Sequence, residues 1–320
     1  LKRNYPTHRF SLLFQKGFLL FSEFNIKLFW KLLFRADKDT ILLANDLDSL
    51  LPNYIVSKIK RIPLVFDSHE IYSELPTVQR RITKKVWKKL EKLLIPKMKF
   101  FYTVSNGYAG YFNKHYGILP EIITNAPTFY FQKNVNTNQP PIVLYQGVIK
   151  EGRGLESLLK AMIFIPQYEL WIVGYGTYQK YLESLALELN LKNIRFLGKK
   201  TPGELKEITP LASVGISLEE NLGLSYYYAL PNKIFDYIHS GVPVLGTWLP
   251  EIKYIIEKNY IGEVISGHNP EEIAEKIKLI ISNGKDFYLE NLENTAKIYC
   301  WENQESTLLQ LFSLANNSSK

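Results

Sequence analysis

The sequence predicts an α/β protein built from two successive parallel-sheet units. Three observations carry that expectation. From Thr40 onward, short apolar runs alternate with longer stretches of helical period, the pattern of a parallel sheet covered by helices. A polar, proline-ended segment, "QKNVNTNQPP" (Gln132–Pro141), interrupts the alternation as a linker does. Beyond it the alternation starts again.

Taken in order, the apolar segment from Phe10 to Phe34 reads as a helix. Lys16, Glu23, Lys27 and Lys31 break it, which argues against both a signal peptide and a membrane span. Strands follow at "TILLAN", "IPLVF" and "FFYTV", with helices between and after them. After the linker come "IVLYQG", "ELWIVG", "IRFLG", "SVGIS", "VPVL" and "GEVI", each followed by a turn or helix. The expected domains are residues 1–138, residues 139–300, and a terminal helix and tail at 301–320 that packs back on the first domain.

Among 320 residues, 39 Lys+Arg against 31 Asp+Glu give a net charge of +8, which favours anionic partners without choosing among nucleic acid, membrane and phosphorylated small molecules. The single Cys300 excludes a disulfide framework and a multi-cysteine metal site, and points to a reducing, cytoplasmic compartment. The five histidines lack the i, i+4 spacing of a helical metal pair.

In open α/β sheets, ligands bind beyond the carboxyl ends of strands. That rule selects Asp67-Ser68-His69-Glu70, residues 147–154, Gly174 to Gly176, Gly198 to Lys200 (with Lys199 at its centre), and residues 219–236. In "LPNKIFDYIHSGVPVLG", Pro231 suits a helix start, Gly241 its stop, and Ile234, Phe235 and Ile238 its buried side. Asn232, Lys233 and Asp236 then share one face. A surface ion pair is the bland reading. Against it, a helix N-terminus with a lysine attracts phosphate, and a carboxylate one turn on can accept both hydroxyls of a ribose. In "YQGVIKEGRGLESLLKA", Gly147, Gly152 and Gly154 let the backbone approach a ligand, and Arg153 can grip phosphate oxygens bidentately.

Read together, "GVIKEGRGL", "LWIVGYG", "IRFLGKK", "SVGISLEENLGL" and "LPNKIFDYIHSGVPVLG" resemble, in order and spacing, the donor-binding domain of glycosyltransferase family 4. The closing Trp301-Glu302 resembles the start of that family's last helix, and "ANDLDSLLPNYIVSKIKRIPLVFDSHEIYSELP" extends the likeness more loosely into the first half. The resemblance implies the GT-B fold, two Rossmann-like domains facing a cleft. It also implies that the first domain is incomplete here, because the family's first strand and glycine-bearing loop have no counterpart before Phe10.

By the same resemblance, Arg153 and Lys233 are cations for a donor diphosphate, and Asp236 holds the nucleotide ribose as the second acid of the family's E-x7-E motif. Glu220, or alternatively Glu219, contacts the transferred sugar; from the strand-end and helix-face readings above, Gly147, Gly154, Gly174, Lys199 and Asn232 complete the donor site. His69, in a segment resembling "D-x-H-E/D", hydrogen-bonds donor or acceptor sugar, with capping by Asp67 and Ser68 as the bland reading. Two departures stand out. Tyr228 occupies the place of the first acid, and Val148 the place of an arginine. Transfer is implied to proceed with retention, without a metal and without a cofactor, from a nucleotide-diphosphate sugar to a glycan or lipid-linked acceptor hydroxyl. "NDLD" (Asn45–Asp48) is read as helix capping rather than a metal-binding D-x-D.

The stretch "TVQRRITKKVWKKLEKLLIPKMK" places Ile82, Val86, Leu90, Leu93 and Leu94 on one side and a basic face on the other. That face is a solvated helix surface, a peripheral attachment to an anionic membrane on the inner face of the cell, or both, with the apolar stripe packed inward while the lysines meet lipid headgroups. Nucleic acid is disfavoured, since only Trp87 offers a stacking ring among these cations. Two alternatives stay open: a nucleotide-sugar epimerase of the same architecture, and an inactive nucleotide-sugar-binding relative.

Overall fold

A computed structural model describes residues 5–79, 83–133 and 140–318. The expected boundary at 138/139, the middle of the linker and Ile82 lie outside the described residues. The chain divides into two compact units. The first comprises Leu1–Val104, Tyr108–Ile123 and Ser306–Lys320; the second comprises Ser105–Gly107 and Thr124–Glu305.

In chain order the first elements are α1 (Gly17–Arg35), β1 (Leu42–Asn45), α2 (Asp46–Lys60), β2 (Leu64–Ser68), α3 (Pro76–Gln79), α4 (Thr83–Leu94), β3 (Phe100–Thr103), α5 (Asn106–Tyr116) and β4 (Glu121–Ile122). The strands form one parallel sheet in the order β1-β2-β3-β4. β2 is buried along its whole length, and Phe66 meets Phe101 of β3 at a ring distance of 4.8 Å. β4 has no counterpart among the predicted strands, because two residues after Pro120 are too short to show a period.

Two sequence expectations are corrected in this unit. The first helix begins at Gly17, not Phe10: Gly17 adopts φ 77°, and the Glu23 carboxylate accepts the N–H groups of Leu13 and Phe14, which holds the preceding segment out of the helix. Among the described residues, no helix is long and apolar enough to cross a membrane. In α4 the buried side chains are Trp87, Glu91 and Leu94, whereas Val86 and Leu93 are exposed. The inward face is turned by one residue, about 100°, from the apolar pattern. Trp87 is drawn in by edge-on contacts with Phe21 and Tyr72 at 5.1 and 4.8 Å. Glu91 follows because it accepts hydrogen bonds from Ser73 Oγ and the Tyr116 hydroxyl at 2.7 and 2.8 Å. Part of the basic face is neutralised, since Lys84 and Lys88 both pair with Glu74.

The later elements are β5 (Ile142–Gln146), α6 (Leu155–Ala161), β6 (Glu169–Val173), α7 (Gln179–Glu188), β7 (Ile194–Gly198), α8 (Pro202–Ile208), β8 (Val214–Ser217), α9 (Leu224–Tyr227), α10 (Asn232–His239), β9 (Val244–Thr247), α11 (Pro250–Asn259), β10 (Gly262–Ile265), α12 (Pro270–Asn283), α13 (Lys285–Ile298) and α14 (Trp301–Asn317). Their sheet is parallel in the order β7-β6-β5-β8-β9-β10. That is the doubly wound order, in which the chain starts in the middle and reverses direction between β5 and β8. All five residues of β5 and all four of β8 are buried, as a sheet covered on both faces requires. At such a reversal an open α/β sheet forms a crevice beyond the carboxyl ends of its strands, and here that end of β5 meets the N-terminal turn of α10, with Lys233 beside Gly147.

Candidate active site

Three segments meet at that crevice. The first is the loop after β5, whose backbone is braced against the loop after β6: Gly147 N donates to Val173 O and Ile149 N to Tyr175 O. Gly174 is required for this approach, because a Cβ there would stand 1.8 Å from the Gly147 carbonyl oxygen. Gly154, at φ 66°, is required for a second one, since its Cβ would lie 2.2 Å from Leu218 O of the loop after β8. The loops are therefore fixed by backbone contact, and Arg153 is carried between them.

The second segment supplies Glu219, which is 1% exposed. Its Oε1 lies 3.3 Å from an Arg153 guanidinium nitrogen and 2.8 Å from Lys233 Nζ, and its Oε2 accepts from Ser217 Oγ at 2.7 Å. Lys233, from the first turn of α10, is the third segment's contribution. Its ammonium is buried, 4.2 Å from the centre of the Tyr145 ring, and among the described residues its carboxylate partner is Glu219. Burial alone raises the Glu219 carboxyl, but Lys233, Arg153 and Ser217 outweigh it and hold the group below the ordinary glutamate value. Burial lowers the Lys233 ammonium, and Arg153 adds to that while Glu219 opposes it. Two cations thus share one carboxylate. The cluster carries one positive charge in excess, in a place where water is largely excluded.

Val148 is half-exposed and offers no cation, its carbonyl accepting the Tyr145 hydroxyl. Instead Lys233 Cε comes within 3.8 Å of where a Cβ on Gly147 would stand, so α10 brings a cation to the loop's first glycine from the other side. Glu220 ties the two loops through its N–H to Gly152 O, and its carboxylate pairs with no cation among the described residues. Tyr228 ends α9, donating its N–H to Leu224 O, with its ring edge-on to Tyr227.

Asp236 does not share surroundings with Lys233, contrary to the common face read from their spacing. Three residues along a helix are displaced by about 60°, and at this packed end that suffices to send the side chains to different neighbours. Asp236 Oδ2 accepts from Gln146 Nε2 at 2.9 Å, and Gln146 Oε1 in turn accepts from Thr209 Oγ1 at 2.8 Å. Burial raises the Asp236 carboxyl, partly offset by Gln146. Asn232 is exposed at the start of α10. Lys199 stands over the Tyr175 ring at 5.2 Å, at the end of β7, two strands away from β5, and outside the Arg153–Glu219–Lys233 cluster. The sequence reading missed Tyr145, Gln146, Ser217, Tyr226, which stacks on both Arg153 and Lys150, and His268, whose Nε2 meets Leu218 O at 3.0 Å. The tyrosine run "SYYYAL" was the available signal.

His69 belongs to the first unit. Its Nε2 lies 2.8 Å from Asp67 Oδ2, and its N–H donates to Asp46 Oδ1 at 2.9 Å. Asp46 adopts φ 57°, and Asn45 makes no side-chain cap hydrogen bond, so "NDLD" does not cap in the way expected. The reason is that Asp46 turns to hold the β2 terminus. Asp67 likewise pairs with His69 rather than capping a helix. Burial raises Asp46 and pushes Asp48 up to about 6. The hydrogen bond to Asp67 raises the His69 imidazole above its ordinary value, against the effect of burial. Asp67→Asn is therefore expected to lower the midpoint of the His69 titration, followed by NMR; an unchanged midpoint would remove Asp67 as the cause. In the wild type this pair stabilises fully below 6.5 and loses its contribution as pH rises through the raised folded value. Among the described residues, no three His, Cys, Asp or Glu side chains converge as a metal site.

A doubly wound sheet with a cationic crevice at its switch point defines a class of proteins that bind anionic, nucleotide-like ligands. The chain belongs to the family described as glycosyl transferases group 1, which matches residues 128–298, more than half of its length. It is 31% identical over 115 residues to the Bacillus subtilis glycosyltransferase TuaH, named for teichuronic acid biosynthesis, covering 35% of this chain and 28% of that protein. It is 24% identical over 194 residues to an uncharacterized glycosyltransferase of Methanocaldococcus jannaschii, covering 53% of each. The matches thus span about half or less of these curated relatives. Among solved structures, sucrose-phosphate synthase from Thermosynechococcus elongatus superposes with a TM-score of 0.72 at 18% identity, over 86% of this chain and 73% of that one. HepE of Anabaena, in complex with UDP and glucose, does so with 0.71 at 17%, over 90% and 81%. These likenesses establish the GT-B fold, with parallel sheets of four and six strands.

Proposed function

We propose that this protein transfers a sugar from a nucleotide-diphosphate sugar to a hydroxyl of a glycan or lipid-linked acceptor, in the assembly of an envelope polysaccharide. The observation that carries the reading is the buried cluster with one positive charge in excess, set at the switch point of the second unit. As the glycosidic bond breaks, negative charge gathers on the leaving diphosphate. Arg153, Lys233 and the loop N–H groups are already in place to receive it, so they lower the transition state more than the ground state. On this reading the cations do the work a metal does elsewhere, and no cofactor takes part.

Asp236, tied by Gln146 on one oxygen, receives the ribose, and the unpaired Glu220 carboxylate receives the sugar. The complexes of HepE with UDP and with UDP-glucose support a uridine donor by analogy. Family membership favours retention of configuration. The exposed cations of α4 that Glu74 does not neutralise support contact with an anionic membrane on the cytoplasmic side.

The test is a screen of nucleotide sugars for donor hydrolysis and transfer, with and without chelator, repeated with Arg153→Gln and Asp236→Ala. A donor turned over with chelator present is expected, with Arg153→Gln losing about 100-fold in kcat and Asp236→Ala raising the nucleotide Kd about tenfold, the loss of roughly one charge-assisted hydrogen bond. Unchanged kinetics in both variants would remove the site assignment, and a requirement for added metal would remove the metal-free mechanism.

A further inference from the structure

A cavity of about 290 Å³ opens in the first unit at the amino ends of β2 and β3, lined by Lys58, Arg61, Lys97 and Lys99. It lies at the opposite end of the sheet from Asp67 and His69, about 10 Å from Asp67 along β2 at 3.3 Å per residue. The cations come from two separate segments. Lys58 and Arg61 close α2, and Lys97 and Lys99 lead into β3. Lys58 and Lys97 sit over the same Tyr54 ring, at 5.4 and 5.5 Å. Among the described residues, no carboxylate pairs with any of the four.

A helix C-terminus attracts cations by its dipole, which accounts for Lys58 and Arg61. It does not account for Lys97 and Lys99, which come from outside the helix. Nor does it account for four like charges gathered around one concavity; each is exposed, so water screens their repulsion, and an anion among them would relieve what is left. Arg61 is held at φ 56°, a conformation that glycine adopts more readily at this position, so its side chain is kept at some backbone cost. The cavity has room for about ten waters, enough for a phosphate or diphosphate and too small for a nucleotide sugar in full.

We infer that this cavity is a second anion site, which binds a phosphate or diphosphate group through Lys58, Arg61, Lys97 and Lys99, separately from the crevice of the second unit. Such a group is carried either by a lipid headgroup or by a free small molecule.

The experiment uses the full chain carrying Arg153→Gln, so that the crevice contributes little, and compares it with the same chain also carrying Arg61→Gly, Lys97→Gln and Lys99→Gln. Arg61→Gly keeps the left-handed turn while removing the guanidinium. Inorganic pyrophosphate is titrated by calorimetry. In parallel, vesicles of phosphatidylglycerol with phosphatidylcholine are sedimented against vesicles of phosphatidylcholine alone. Loss of at least tenfold in pyrophosphate affinity on removing the three cations identifies a free phosphate ligand; loss of phosphatidylglycerol-dependent sedimentation identifies a lipid headgroup. Binding of both probes that survives the three substitutions overturns the site, as does failure of the Arg153→Gln chain to bind either. An equal loss on changing Lys85, Lys89 and Lys92 to glutamine also overturns it, because the attraction would then belong to the general charge of the unit.

Discussion

Lys233→Met is expected to reduce the kcat for sugar transfer by about 10²–10³-fold, the scale seen when one preorganised charge-stabilising donor is removed. Methionine preserves the buried stem and its contact with Tyr145, and Glu219 keeps Arg153 as a partner, so the crevice loses charge without losing shape. The cluster's excess of one positive charge falls to zero. The leaving diphosphate then meets a neutral site at the moment its charge develops. Ground-state binding, which also draws on the loop backbone and Asp236, should weaken less than kcat falls. Steady-state kinetics on the best donor from the screen, with far-UV circular dichroism as the check on folding, separate the two. Adding Val148→Arg to the variant should recover part of the loss, because that residue stands on the loop that Lys233 approaches from α10. A kcat within twofold of wild type would mean that Lys233 serves only to neutralise Glu219.

Strand positions were legible in the sequence, because each of the nine runs is locally apolar and needs no distant partner to be recognised: β2, β5, β8 and β9 are buried along their whole length, and β1 alternates buried and exposed. β4 was not, since two residues carry no period. The inward face of α4 was misread for a related reason: its apolar pattern pointed to Val86 and Leu93, while partners far away in sequence, Phe21, Tyr72, Ser73 and Tyr116, select Trp87 and Glu91. In the crevice, Arg153, Lys233 and Asp236 could be named from local spacing and family likeness. That Glu219 lies between the two cations could not be seen, because it depends on three segments meeting across the switch point of the sheet. Nor could the separation of Asp236 from Lys233 be seen, because a helical wheel gives the angle between side chains and not the neighbours each one finds.

Glu219→Ala is expected to destabilise the second unit by about 3–5 kcal/mol, as removal of one member of a buried ion cluster does. The cost arises less from the lost attraction than from what remains: Lys233, 9% exposed, and Arg153, 21% exposed, facing each other with no carboxylate between them. For a domain of this size that corresponds to a fall in Tm of about 10 °C. Glu219→Gln should be milder, since an amide oxygen can still accept from Ser217, yet it removes the same charge.

The pH dependence distinguishes the ionic account from simple packing. Because the folded Glu219 titrates below its ordinary value of 4.5, its contribution is complete above that pH and is lost as pH falls through the folded value. The stability difference between wild type and Glu219→Gln should therefore be constant near neutrality and shrink in acid. A difference that stays constant into acid would make Glu219 a packing residue. A bound nucleotide diphosphate should reverse part of the Glu219→Gln loss, by supplying from the ligand the negative charge that the two cations have lost. That rescue ties the stability of the cluster to its use, since the same unbalanced charge that destabilises the variant is what holds the leaving group.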